Sequence, residues 1–207
     1  MPDRTQNKAE PPLAKLAAEA ADCQRCPLYR NATQTVFGEG PINATLMMVG
    51  EQPGDQEDRE GRPFVGPAGR ILDLALEEVG LNRRSIYVTN AVKHFKHEQR
   101  GKRRIHKHPN REEVKQCRWW LDQELELVKP KLVVALGAVA ASALSGRTVV
   151  LMRQRGRLLH WAGGCRGLAT IHPSAVLRMP DEASRHSALA GLVSDFREAR
   201  RLLNEAC

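Results

Sequence analysis

Three shortages in this chain narrow what it can be: few cysteines, no long apolar run, and too little acid to balance its base. Five cysteines, an odd number with one at position 207, do not make the paired framework of a small secreted domain, and they point to a reducing compartment where some could bind metal. No stretch reaches the ~18 consecutive apolar residues that a membrane-spanning helix needs. The polar start MPDRTQNKAEPP lacks the charged-then-apolar layout of a secretory signal, so a cytoplasmic protein with no membrane partner is expected. Asp and Glu number 24 against 32 Lys and Arg, a formal net charge of +8, and that excess favours a polyanionic partner, nucleic acid first. No internal repeat or low-complexity segment is visible.

At 207 residues and 42% hydrophobic composition, the chain can bury one good core. The expected organisation is a disordered leader over 1–10 and a single domain over 11–207, acting as a monomer. PPLAKLAAEAADC reads as a short helix opened by proline. Compact apolar runs at TLMMVG, SIYVTN, KLVVALG and GLATI read as buried strands, and helical spacing marks 70–79, 111–128, 138–144 and 183–204. Strands alternating with helices argue for an α/β fold, a three-layer α/β/α sandwich around a mostly parallel four-stranded sheet. In such sheets ligands gather at the carboxyl ends of the strands. Four motifs stand directly at those ends: GEQPG after the first strand, Asn90 at the end of the second, Gly137 after the third and HPS after the fourth. They should share one edge.

Taken singly, these motifs have ordinary explanations. Cys23 and Cys26 form a CxxC pair that could be half a zinc site, a redox pair or chance. Phe64 in a Gly-Pro loop could plug the core, Asn90 could be a turn or cap residue, and Glu51 a surface charge. GKRRIHKHPN, from Gly101 to Asn110, could be a solvated basic loop. Trp119 and Trp120 read as packing residues, and His97 and His108 as additions to the positive potential.

Their order and spacing change this. GEQPG, GRPFVGPAG, YVTNAVK and HPSAVLR together resemble the iron–sulfur uracil-DNA glycosylases of family four, over nearly the whole chain from Cys23 to the last helix. Two departures resemble the X-type branch (UdgX) of that group: GEQPG where family four usually has GEAPG, and an inserted KRRIH. Members of that branch become covalently joined to uracil-containing DNA through the histidine of the insertion, which here is His106.

The resemblance implies a uracil-DNA glycosylase with a [4Fe–4S] cluster held by Cys23, Cys26, Cys117 and, where family four has a fourth cysteine, His94. It implies a substrate of uracil-containing DNA, single- or double-stranded, with uracil stacked on Phe64. Asn90, an amide that both donates and accepts, suits the O4 and N3 edge of uracil and mismatches cytosine. Gly50 and Ser174 are expected to line the same pocket. Breaking the glycosidic bond puts negative charge on the base and cationic character on the sugar, so His172 is expected to donate to uracil O2. His106 is expected to capture C1′, since neutral imidazole is a competent nucleophile. Glu51 is expected to bond the other His106 nitrogen and Gln52 to position the loop, water or uracil. Lys102, Arg103, Arg104 and Lys107 are expected on phosphates, with Leu177 as a minor-groove wedge and Arg178 on phosphate.

Overall fold

A computed structural model describes residues 11–205. The leader expected over 1–10 and the tail cysteine Cys207 lie outside the described residues. Among the described residues, no helix is long and apolar enough to cross a membrane.

Helix α1 (Pro12–Ala21) leads into the CxxC turn and then β1 (Leu46–Gly50). Two short helices follow, α2 (Asp55–Glu60) and α3 (Pro67–Glu78), before β2 (Ile86–Asn90). Strands β3 (His97–Arg100) and β4 (Arg103–His106) make a hairpin outside the main sheet, and α4 (Arg111–Val128) leads to β5 (Leu132–Leu136). Then come α5 (Ala138–Ser145), α6 (Leu151–Gln154), β6 (Leu158–His160), β7 (Arg166–Thr170), α7 (Pro173–Leu177) and α8 (Glu182–Asn204).

The sheet order is β2-β1-β5-β7-β6. The four expected strands are parallel, and β6 adds an antiparallel edge. That fifth strand is only three residues long and mostly exposed, too short to show a periodicity in sequence. The parallel strands are buried on both faces, which is why they read as continuous apolar runs. Alternate residues face opposite ways: Leu46, Met48, Val88 and Val134 pack with Leu72, Leu76 and Phe196, while Met47, Val49, Val133 and Ala135 pack with Leu121, Ala140 and Leu144. Helices α3 and α8 therefore cover one face, and α4 and α5 the other.

Registry then delivers the shared edge. Gly50 pairs with Asn90 across β1 and β2, and Leu136 with Thr170 across β5 and β7. The four strand-end motifs thus emerge side by side. At Gly137 the chain turns with φ 100°, and a Cβ there would press on His172 Cβ at 3.2 Å, so glycine lets the β5 exit pass close beneath the HPS segment.

The hairpin differs from the solvated loop that GKRRIHKHPN suggests in isolation. Gly101 adopts φ 58° at the first central turn position, the place where a two-residue hairpin turn prefers glycine. Its residues carry no apolar alternation, which is why a strand was not legible there.

Candidate active site

A pocket of about 520 Å³ opens at the carboxyl edge, lined by residues that include Glu51, Gln52, Phe64, Asn90, His106 and His172. Ser174, Arg178 and His108 also line it. Gly50, expected in the pocket, does not line it but packs against two residues that do: a Cβ at that position would meet Asn90 Oδ1 at 2.3 Å and the Phe64 ring at 2.6 Å.

Phe64 is held by its backbone. It takes φ 56°, a left-handed conformation that costs a non-glycine residue about 1–3 kcal/mol and persists only where the surroundings enforce it. Two contacts do so here. Glu57 accepts from Gly54 N–H through Oε2 and from Gly66 N–H through Oε1 at 2.7 Å, tying both ends of the loop together. Gly69 lies against the Phe64 carbonyl so closely that a Cβ would collide with it. The buried ring stacks on His172 with centroids 5.9 Å apart and planes 27° apart.

Asn90 is 2% exposed, and its Oδ1 is buried without a partner. An unpaired buried acceptor costs about 1–3 kcal/mol. Its backbone carbonyl, by contrast, is secured: Lys93 Nζ donates to it at 2.8 Å, to Thr89 Oγ1 at 2.6 Å and to Glu124 at 2.5 Å. Lys93 and Glu124 are wholly buried, and Tyr87 and Thr89 donate to the same carboxylate. Sequence reading missed this network because a lysine and a glutamate 31 positions apart carry no local signal.

His172 has its protonation state set by its neighbours. Ser174 N–H donates to Nδ1 at 3.1 Å, so in the neutral ring the proton sits on Nε2. Burial, with Arg178 and His106 adding to it, pushes the imidazole pKa down to about 4. The ring is a neutral Nε2–H donor at physiological pH. Arg178 donates to Ser174 Oγ at 2.9 Å, bracing the same turn.

His106 ends β4 and bonds Gln52. The Gln52 amide is oriented by Lys96 N–H, which donates to its Oε1, and its NH₂ donates to the Lys107 carbonyl at 2.9 Å. That NH₂ therefore donates to His106 Nε2 at 2.9 Å, leaving the His106 proton on Nδ1. Desolvation lowers the His106 pKa, helped by His108 and Arg178 and opposed by Glu51. Gln52, rather than Glu51, is thus the partner of His106. Glu51 Oε1 instead meets His108 Nδ1 at 2.7 Å, so His108 is a pocket residue and not only a source of positive potential.

The basic residues divide. Arg104 departs from the expected phosphate contact: its Nε reaches Asp55 and its Nη1 reaches Asp58, each at 2.5 Å, with Thr33 Oγ1 at 3.0 Å. Asp58 is fully buried and needs a cation, so the guanidinium is drawn inward as the hairpin's anchor. Lys102 and Arg103 remain exposed, and Lys107 pairs with Glu98 on the surface. Leu177 is 45% exposed and does not pack in the core.

Below the sheet edge, Cys23, Cys26 and Cys117 are buried in one cluster with Leu16, Leu28 and Trp120. Trp120 Nε1–H donates to Cys23 Sγ at 3.0 Å and Lys93 N–H to Cys117 Sγ at 3.2 Å. Burial pushes the Cys117 thiol up to about 12 and raises Cys26 as well. His94, 3% exposed, follows Lys93 directly. Thr35 spends its hydroxyl proton on the Ala20 carbonyl, so the 3.0 Å contact to His94 Nε2 must be donated by the ring. This leaves His94 Nδ1 unprotonated, buried and without a partner. Three thiols and an orphaned imidazole lone pair fit a metal cluster's donor set. Cys165, by contrast, lies half-buried near the Pro130 and Arg166 carbonyls.

Residues 37–197 match the model of the uracil DNA glycosylase superfamily. The chain belongs to that superfamily. It is 40% identical over 157 residues to a type-4 uracil-DNA glycosylase of Thermotoga maritima, covering 75% of this chain and 78% of the relative. It is 38% identical over 179 residues to a type-4 uracil-DNA glycosylase of Pyrobaculum aerophilum, covering 81% and 86%. A type-5 uracil-DNA glycosylase from the latter organism is 32% identical over 187 residues. The three-layer fold is consistent with that superfamily. The pairing of His106 with Gln52 and the Arg104 anchor are features read from this chain's own geometry.

Proposed function

We propose that this protein excises uracil from DNA and then retains the deoxyribose on His106 through a bond to C1′. The observation that carries the excision is the orphaned Asn90 Oδ1 beside the Phe64 ring, an unsatisfied acceptor that would suit a base N3–H once the amide turns to the pocket, with its NH₂ left for O4. Flipping the base into the pocket costs a few kcal/mol, offset by stacking and by these hydrogen bonds. As the glycosidic bond breaks, its electron pair goes to the uracil, and the His172 Nε2–H donor stabilises the charge at O2. The sugar is left electron-poor at C1′.

A ring nitrogen of His106 then competes with water. Its lowered pKa keeps the ring neutral and nucleophilic, and its place on the pocket wall gives it a high effective concentration. The nitrogen lone pair forms the new bond and the Nδ1 proton is surrendered to solvent, leaving a neutral N-glycosyl imidazole. Imidazole so linked is a poor leaving group, and the protein is consumed. Cys23, Cys26, Cys117 and His94 would hold a [4Fe–4S] cluster, whose part is to tie α1, the β2 exit and α4 together. Arg178, which lines the pocket, and the exposed Lys102, Arg103 and Leu177 are the side chains this reading gives to DNA contacts, in either single- or double-stranded substrate.

The likeness to type-4 enzymes favours a second reading, in which His106 is only a DNA contact and the protein turns over. One gel separates them. Protein mixed with a uracil-containing single-stranded oligonucleotide should give a band that survives heat and detergent. In His106→Ser that band should vanish while uracil release continues and exceeds the enzyme present. Abundant wild-type turnover with no resistant band establishes the second reading.

A further inference from the structure

The hydrogen bond between Glu51 and His108 plays no part in the chemistry above, yet it completes a group of three ligands. Glu51, His106 and His108 each offer one ligand atom, and those atoms all lie within 4.8 Å of one another. The Glu51 and His108 atoms are 2.7 Å apart, and the two imidazoles meet edge to face with centroids 5.5 Å apart and planes at 79°. We propose that these residues bind a divalent transition metal of the zinc class at the pocket mouth, away from the cysteine cluster, and that the metal reversibly blocks His106.

Two imidazoles and a carboxylate are the donor set that zinc accepts with one position left for water. Ligands on a tetrahedron of zinc's bond lengths stand about 3.4 Å apart. Glu51 and His108 need only open slightly to reach that spacing. The frame is largely prepared. The Glu51 carbonyl accepts from Val92 N–H at 3.0 Å, fixing the end of β1, while Gln52 and the Lys107 carbonyl hold the segment between the two histidines. His108 has the freedom to adjust, since its side chain is 75% exposed. A metal held here takes the His106 Nε2 lone pair, displacing the Gln52 NH₂ that now donates to it. The consequence for trapping rests on the reading of His106 given above, whereas metal binding itself does not.

The test compares wild type with His108→Ala. Titration with zinc chloride by calorimetry should show one more equivalent bound per wild-type chain, because any zinc taken by the cysteines is common to both proteins. Magnesium chloride should give no such difference, since that ion prefers oxygen ligands. In the adduct gel, zinc at about ten times its Kd should slow wild-type trapping by about tenfold relative to its effect on His108→Ala, each judged against its own metal-free rate, because only about a tenth of His106 then stays unliganded. A chelator should restore wild-type trapping. Glu51→Gln provides a second variant, which should also lose the extra equivalent. Equal zinc uptake by wild type and both variants overturns the site. If metal-free wild type forms no adduct, the trapping reading has failed, and calorimetry still decides the metal.

Discussion

Replacing Arg104 by alanine should cost about 3 kcal/mol of stability and detach His106 from its working position. The magnitude follows from burial. Asp55 is 42% exposed, so its pair with Arg104 is worth at most about 1 kcal/mol. Asp58 is fully buried and Arg104 only 12% exposed, and removing one partner of such a pair typically costs about 3–5 kcal/mol because a charge is stranded. Thr33 N–H still donates to both Asp58 oxygens at 3.0 and 3.1 Å, which places the loss at the lower end. For a chain of this size that is a fall in Tm of about 6–12 °C. Urea unfolding and thermal melts would measure it. Trapping should fall more than tenfold while uracil release persists, since Asn90, Phe64 and His172 stand on other elements. The double variant Arg104→Ala, Asp58→Asn should be more stable than Arg104→Ala alone, because it removes the stranded charge. If the double variant is less stable, or Arg104→Ala melts like wild type, the account of the anchor is wrong.

Other expectations concern the pocket and the cluster. Asn90→Asp should weaken uracil excision and selectivity against cytosine, since a carboxylate cannot donate to O4; competition between uracil- and cytosine-containing oligonucleotides checks this. The depressed His172 pKa makes the folded state bind fewer protons than the unfolded chain between about 4 and 6.5. Its stabilising contribution is therefore full above the upper value and lost as pH falls toward 4, and His172→Gln should flatten the stability profile in that window. If Cys23, Cys26, Cys117 and His94 hold the proposed [4Fe–4S] cluster, wild type should be brown, Cys117→Ala should lose that colour and much of its stability, and His94→Cys should keep the colour; iron content and visible absorption decide. Arg103→Ala should weaken binding to all DNA sequences and reduce the salt slope by about one unit.

Much of the sheet was legible because buried parallel strands advertise themselves as apolar runs, and because each ends in or soon reaches a residue unlike its strand: Gly50, Asn90, Gly137, His172. Connectivity then put those residues on one edge, whereas Phe64 and His106 joined them only through the family resemblance. What was hidden depends on pairings between distant segments. Nothing near Arg104 distinguishes it from Arg103, and only the fold brings Asp55 and Asp58 beneath one and not the other. Glu51 and Gln52 are adjacent in sequence, so assigning Glu51 rather than Gln52 to His106 was a choice between neighbours that point to different partners. Glu57 went unread: its bond to Gly54 N–H has capping spacing, but glycine has no side chain to complete a box, and its second bond, to Gly66, crosses a loop.

The position of His106 on a separate hairpin has its own physical logic. A two-stranded hairpin is at best marginally stable in water, and β3 and β4 have little apolar face, with Ile105 itself 36% exposed. Their order must come from outside. It comes through Arg104 to α2, through Gln52, which donates to the Lys107 carbonyl and accepts from Lys96 N–H, and through the stacking of His97 on Phe95 at 4.9 Å. Each tether reaches the β1 exit, α2 or the segment after β2, and none reaches Asn90 or His172. The hairpin can therefore loosen without disturbing the groups that read uracil and stabilise its departure. Deleting 97–106 with a short glycine linker should accordingly leave a folded protein that still releases uracil but makes no resistant adduct. Loss of both activities in a deletion variant that melts cooperatively would show that the hairpin also shapes the base pocket, and that excision and trapping are not separable in this chain.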